Sequence, residues 1–365
     1  VKVFRDFHGG KVLEISKKSN IEVGEFLDFS ANISPFLMEK EIKEKLYNSI
    51  DDIVYYPETD YEDIYIKLAS LHNINKAYIR LGNGAIDIIY KLAAFLNLKK
   101  GKKRKVLFVE PSFIEYRKAF RIYEDIDLVY YDMDKENLKL DESILDILDN
   151  DILAIFICNP NNPSSCLVEK EILNKILKKC KEKDIYLVLD ECFMDFILEE
   201  DKYSLVSNIE ENKKLIILRS FTKLFAVAGL RLGYTISSDR FFLKSMDLLN
   251  PHWNINTLAL RVADLAADIY IDLKNKNLDL IEKERKYLIQ ELEDLKIKVY
   301  ESKANFILLR LDKNYDDFEQ YLLKYKILIR SCSNYRGLDG RYYRIAIRTH
   351  KDNIKLINVF KEYFK

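Results

Sequence analysis

The sequence predicts an α/β protein: a buried, mostly parallel seven-stranded sheet covered by helices on both faces, with a smaller α+β lobe after it. Three observations predict this. Short apolar, β-branched runs recur at residues 77–81, 105–109, 128–132, 152–158, 185–189, 215–218 and 232–236. Amphipathic stretches separate most of them. Beyond residue 255 the alternation stops, and one long helical periodicity leads into a few strand patterns and a last helix.

Taken in order, residues 39–49 and 61–71 read as helices that lead into the sheet, with apolar side chains three and four positions apart. The seven runs follow, and the first is succeeded by the amphipathic stretch 86–96. Residues 256–295 read as one helix, 299–311, 327–331 and 343–348 as strands, and 352–364 as the closing helix. The expected organisation is an arm that joins the small lobe (1–40), a large domain (41–255) and a small domain (256–365). The charged run 282–286 reads as a solvated helix face.

Composition narrows the function. The 365 residues carry 59 Lys plus Arg against 59 Asp plus Glu, so the basic excess of a protein that neutralises many backbone phosphates is missing, and no nucleic-acid partner is expected. The five cysteines form no C-x-x-C pair and read as reduced thiols of a cytoplasmic protein. The four histidines are scattered without metal-ligand spacing, so no metal is expected. No apolar run approaches the ~18 residues of a membrane span, and no export signal opens the sequence.

In an open parallel sheet, ligands bind beyond the carboxyl ends of the strands, which makes the residues just after each run the candidates. The first run is followed by Gly82-Asn83-Gly84-Ala85 and a helix, either a simple reversal or a phosphate cradle of free N–H groups. The fourth enters Asn159-Pro160-Asn161-Asn162-Pro163, either turn chemistry or a set of amide donors. The fifth ends in Asp190-Glu191, either a helix cap or a placed carboxylate. The sixth leads to Ser220-Phe221-Thr222-Lys223, with Arg231 eight residues beyond the lysine, where both could meet a phosphate and an aldehyde.

With these residues the chain resembles the fold-type I pyridoxal-phosphate enzymes of the aminotransferase class I/II group over nearly its whole length. The resemblance implies that Lys223 carries pyridoxal 5'-phosphate covalently and that Asp190 keeps its ring nitrogen protonated. It implies that Asn162 donates to the phenolic oxygen and Phe113 stacks on the ring. The amides of Gly84 and Ala85, the Asn83 side chain, Ser220, Thr222 and Arg231 would hold the phosphate. Tyr56, in Tyr55-Tyr56-Pro57, matches a tyrosine sent across a homodimer interface to the neighbouring cofactor. Two departures stand out: Phe193 replaces a common tyrosine, and Ser164-Ser165 a common Thr-Gly.

The ends of the chain look like the threonine-phosphate decarboxylase branch of the cobalamin pathway, itself similar to histidinol-phosphate aminotransferase. The matching residues are His8-Gly9-Gly10, the run from Asp28 to Pro35, Arg330 through Leu338, and Arg344 through Arg348. The branch implies decarboxylation of a small phosphorylated amino acid, L-threonine O-3-phosphate, to (R)-1-aminopropan-2-yl phosphate. Arg344 would take the substrate carboxylate, while Arg330, His8 and Asn32 are the candidates for its phosphate. An aminotransferase of the histidinol-phosphate type would use the same cofactor residues. A non-catalytic regulator module is the third reading, which the lack of an N-terminal DNA-binding extension and of a basic patch opposes.

Overall fold

The computed structural model describes residues 9–99, 101 and 104–365. In chain order the strands are β1 (Leu27–Asp28), β2 (Ile79–Gly82), β3 (Lys105–Glu110), β4 (Asp127–Asp132), β5 (Ile152–Cys158), β6 (Tyr186–Asp190), β7 (Leu215–Ser220) and β8 (Gly233–Ile236). They continue with β9 (Lys298–Val299), β10 (Phe306–Arg310), β11 (Ile327–Leu328), β12 (Arg330–Ser331) and β13 (Tyr342–Ala346).

Strands β2 to β8 form the seven-stranded sheet in the order β2-β8-β7-β6-β5-β3-β4, all parallel except β8, which runs antiparallel to both its neighbours. Each of the seven apolar runs is a strand, displaced by one or two residues at its ends. Central strands buried on both faces read as continuous apolar runs, and all seven residues of β5 are buried. Alternate residues serve opposite faces. Val106, Phe108, Phe156, Val188 and Leu218 pack with Ile88, Leu92 and Phe95 of the helix Gly84–Asn97 and Phe242 of the helix Arg240–Leu249. Leu107, Ile155, Leu187 and Ile217 pack in the core that includes Ile64 and Leu68 of the helix Glu62–His72 and Leu173 of the helix Lys170–Glu182.

The helix Thr257–Asp294 runs 38 residues, its first turn capped by the Asn256 side chain, which accepts from the Ala259 N–H. Near its start Asp264 meets Lys67 of the large-sheet layer at 2.7 Å, and near its end Glu291 meets Lys361 of the last helix, His350–Tyr363, at 2.5 Å. One rigid element thus ties the two sheets together. The second sheet is antiparallel, ordered β12-β13-β10-β9.

The structure corrects three expectations in this region. The run 299–311 is a hairpin, β9 and β10, because the Ser302 hydroxyl donates to the Phe306 carbonyl and folds the chain back so that Val299 pairs with Leu309. The run 327–331 is two strands in different sheets: β11 pairs with β1, and β12 with β13. The strand expected over 343–348 ends at Ala346, so Arg348 lies beyond it, bound to Asp352 at 3.1 Å, rather than on one strand face with Arg344.

The segment after β1 decides where the site forms. Phe29 donates its N–H to the Leu328 carbonyl and accepts from the Ala346 N–H, each at 2.8 Å, which locks it between the edge of β11 and the end of β13. The chain then runs across to the large sheet, where the Ser34 N–H donates to the Lys223 carbonyl at 2.8 Å.

Candidate active site

At the carboxyl edge of the large sheet a single cavity is lined by Ala85, Phe113, Asn162, Asp190, Ser220, Thr222, Lys223 and Arg231, eight residues the sequence singled out. It also contains Ile86, Ile89, Tyr116, Cys158, Cys192 and Phe193.

Lys223 sits in the short helix Phe221–Leu224, which starts directly from β7 because the Ser220 hydroxyl caps it, accepting from the Thr222 N–H at 3.2 Å. Its amine lies 5.4 Å from the centre of the Phe193 ring. Burial, aided by the positive charges of Arg344 and Arg231 and opposed by Cys192 and Asp190, pulls its pKa down from 10.5 to about 8. A lysine so placed is a nucleophile for an aldehyde near neutral pH. Below it, Arg219 is fully buried and bridges Glu191 at 2.6 Å, Glu200 at 2.5 Å and Asp195 at 3.5 Å, which fixes the strand end that carries the lysine.

Asp190 ends β6, with the Cys192 N–H donating to Oδ1 at 2.9 Å and the Tyr116 hydroxyl to Oδ2 at 2.5 Å. Asn162 hangs from the Asn-Pro loop, which is pinned because Asn161 donates to the Pro111 carbonyl and accepts from the N–H and hydroxyl of Ser164. Its Oδ1 accepts from Arg344 at 2.5 Å and Tyr335 at 3.2 Å, which turns the amide NH₂ away from both.

The glycine turn tests whether a phosphate fits. Gly84 has φ +80°, and a Cβ there would lie 2.6 Å from Nη2 of Arg231, so only glycine lets the guanidinium close over the start of the helix. Gly233 likewise has no room for a Cβ, which would fall 2.8 Å from the Ala85 N. As the first two residues of the helix, Gly84 and Ala85 have no intrahelical acceptor for their N–H groups, while the Asn83 N–H is taken by Asp87. Two amides, a guanidinium and the Ser220 and Thr222 hydroxyls at a helix N-terminus are the donor set a phosphate dianion needs. Pyridoxal 5'-phosphate therefore fits. Asn83 itself is exposed and does not line the cavity.

The remaining candidates lie apart from this cavity. Arg344 is buried and reaches it through Asn162; Nη2 donates to the Ser30 carbonyl at 2.9 Å, and Nε has no partner among the described residues. Arg330 pairs directly with Arg344 across β12 and β13 and donates to Asn334 Oδ1 at 2.7 Å. Asn32 is 2% exposed, and neither of its amide atoms has a partner among the described residues. Tyr56 is 79% exposed, stacked on Trp253 at 4.4 Å, and lines none of the cavity. His8 lies outside the described residues.

Sequence reasoning missed Tyr116 and Tyr335. Tyr335 stands in a quoted stretch, and Tyr116 three residues past Phe113, but their contacts are with residues 74 and 173 positions away.

An open sheet whose carboxyl edge offers a desolvated lysine beside a phosphate cradle is the architecture of the fold-type I pyridoxal-phosphate enzymes. The chain belongs to the aminotransferase class I and II family, whose model matches residues 16–360, and its cofactor is pyridoxal 5'-phosphate. It is 34% identical over 357 residues to the threonine-phosphate decarboxylase of Salmonella typhimurium, covering 97% of this chain and 96% of that one. It is 30% identical to the histidinol-phosphate aminotransferase of Methanococcus aeolicus, covering 99% and 96%. Among solved structures, the histidinol-phosphate aminotransferase from Clostridium acetobutylicum superposes with a TM-score of 0.84 at 30% identity, covering 92% and 98%. Among the described residues no helix is long and apolar enough to cross a membrane.

Proposed function

We propose that the protein decarboxylates L-threonine O-3-phosphate to (R)-1-aminopropan-2-yl phosphate. The observation that carries this reading is the direct pairing of Arg330 with Arg344: two buried guanidinium groups on one sheet face at adjacent strand positions. Burying two like charges side by side is unfavourable unless anions meet them, and a substrate with both a carboxylate and a phosphate supplies two. Histidinol phosphate carries only the phosphate, and although the 2-oxoglutarate that an aminotransferase also takes carries two anions, similarity to the Salmonella decarboxylase favours threonine phosphate.

In this reading the Nε and Nη groups of Arg344 hold the substrate carboxylate, and Arg330 holds the phosphate, with Asn32 offering its unpartnered amide to the same substrate. The bound cofactor supplies an electron sink for the carbanion left when carbon dioxide departs. Asp190 presents an anion at the ring nitrogen, Asn162 directs its NH₂ at the phenolic oxygen, and Phe113 covers the ring. Gly84, Ala85, Ser220, Thr222 and Arg231 hold the cofactor phosphate. With the cofactor bound, Lys223 Nζ would carry the proton that returns to Cα.

The region 53–56 is strongly exposed and apolar, with Val54 at 76% and Tyr55 at 72%. We assign it to a homodimer contact in which Tyr56 reaches the neighbouring cofactor phosphate.

The purified protein is given threonine phosphate alone and, separately, histidinol phosphate with 2-oxoglutarate. Release of carbon dioxide from the first supports the decarboxylase. Glutamate formation in the second, without carbon dioxide from the first, assigns the chain to the aminotransferases that its Methanococcus relative represents.

A further inference from the structure

We infer that Tyr116 is a positioning residue of the cofactor site: its buried hydroxyl fixes the Asp190 carboxylate where it can accept from the cofactor's ring N–H, so that the proton stays on that nitrogen. This rests on the assignment of Asp190 to that nitrogen.

Asp190 is only 6% exposed, and among the described residues no Lys or Arg lies within ion-pair distance of it. Its direct partners are neutral donors: the Cys192 N–H on Oδ1, the Tyr116 hydroxyl on Oδ2 and, more weakly, the Cys192 thiol. Burial favours the protonated form of such a carboxyl, whereas hydrogen bonds donated to the charged form oppose this. A carboxylate with too few donors would take the proton from the pyridine ring and weaken its pull on electrons. Tyr116 supplies the hydroxyl donor; the other side-chain donor, the Cys192 thiol, is a weak one.

The other groups around Asp190 donate weakly or not at all. The thiols of Cys158 and Cys192 are pushed up by burial in the first place and remain neutral, so that of Cys192 meets Asp190 only as a weak S–H donor, and the Lys223 amine is not paired with the carboxylate. The Tyr116 phenol is pushed well above its ordinary value, first by burial and then by Asp190, so it remains a donor. A carboxylate oxygen has two acceptor sites, so Tyr116 on Oδ2 leaves room for a ring N–H.

The phenol is also held in place. Its ring is 1% exposed, edge-on to Phe113 at 5.7 Å and 84°, and 5.7 Å from Phe156. The start of its helix is pinned by Glu110, which accepts from the Ser112 N–H at 2.7 Å and pairs with Arg117 at 3.0 Å. Packing alone would be satisfied by phenylalanine; the hydroxyl serves Asp190.

The holoenzyme, reconstituted with cofactor labelled with nitrogen-15 in the ring, reports this proton directly by its chemical shift. Wild type is expected at the pyridinium position. Tyr116→Phe moves the signal toward neutral pyridine and lowers kcat about tenfold, the scale of one buried hydrogen bond to a charge, with KM within about twofold. Site-specific 3-fluorotyrosine at position 116, the same shape with a stronger donor, moves the signal the other way or sharpens the pyridinium value. Tyr186→Phe, which removes a part-buried tyrosine–aspartate bond, to Asp239, at the opposite end of β6 from Asp190, leaves the shift unchanged. Identical shifts in wild type and Tyr116→Phe overturn the inference, and if that variant fails to bind cofactor, a fluorinated protein with an unmoved, unsharpened signal does so. A wild-type signal at the neutral position rejects the role of Asp190 itself, which is a separate failure.

Discussion

The two ends of this site are built differently. The cofactor end comes from consecutive strand termini of one sheet, and its groups are held before any ligand arrives: Asp190 has a donor on each oxygen, Ser220 caps the lysine's helix, and Gly84 and Arg231 interlock. The end proposed for the substrate comes from segments around residues 32, 330 and 344, brought together by the second sheet and by the segment after β1. Both amide atoms of Asn32 and the Nε of Arg344 have no partner there among the described residues. A buried polar group without a partner costs about 1–3 kcal/mol, so this end retains unsatisfied groups that a polar ligand can satisfy. On the proposed roles, the comparison teaches that one end is pre-organised for a group common to the whole family, while specificity would lie in the end assembled from distant parts.

The sharpest way to break the comparison is at Lys223. Lys223→Ala is expected to lower turnover by about 10⁴-fold, the upper scale for a lost acid–base group, and to abolish borohydride-fixed cofactor label in the peptide that carries residue 223. A label that persists at another lysine would move the active site. The wild-type amine also predicts a pH profile for cofactor uptake by the apoprotein. Its pKa is about 8, and only the neutral amine attacks, so the rate rises about tenfold per pH unit up to that point and then levels. A rate that continues to climb to pH 10 would show a lysine not desolvated by its surroundings.

The next effect separates the two arginines. Arg344→Lys keeps the charge but loses the fork, and it should weaken threonine and threonine phosphate alike by about 10- to 100-fold. Arg330→Ala should remove the preference for threonine phosphate over threonine while leaving cofactor absorbance and the weak binding of threonine nearly intact. Titration of both ligands against the cofactor spectrum measures this. Equal losses for the two ligands in Arg330→Ala would reject its phosphate role.

The same division explains what could be read in the sequence. The large sheet was legible because strands buried on both faces are written as unbroken apolar runs, and the cavity residues Ala85, Phe113, Asn162, Asp190 and Lys223 because each comes soon after such a run. Less was legible where structure depends on distant partners. β1 is two residues long and exists only because β11 lies beside it. The run 327–331 looks like one strand, yet Ile329 divides it between two sheets. Tyr116 and Tyr335 carry no local mark, since an aromatic near a strand end is ordinary until its hydroxyl is seen on Asp190 or Asn162.

The smallest expected effect tests whether the cofactor end is complete within one chain. Tyr56 is exposed and stacked on Trp253 at 4.4 Å, with the rings 27° apart, so the ring is held by its own subunit. Tyr56→Phe keeps that stacking and removes one oxygen. If the hydroxyl donates to the neighbouring cofactor phosphate, the dissociation constant of the cofactor should rise about three- to tenfold, the scale of a single exposed hydrogen bond to a charged group, with the dimer intact. Fluorescence titration of the apoprotein measures the first quantity and sedimentation the second. An unchanged affinity would show that the phosphate is held by Gly84, Ala85, Ser220, Thr222 and Arg231 alone. An active monomer at assay concentration would show that a single chain completes its own site, and the contrast between a finished cofactor end and an open substrate end would then hold within one subunit.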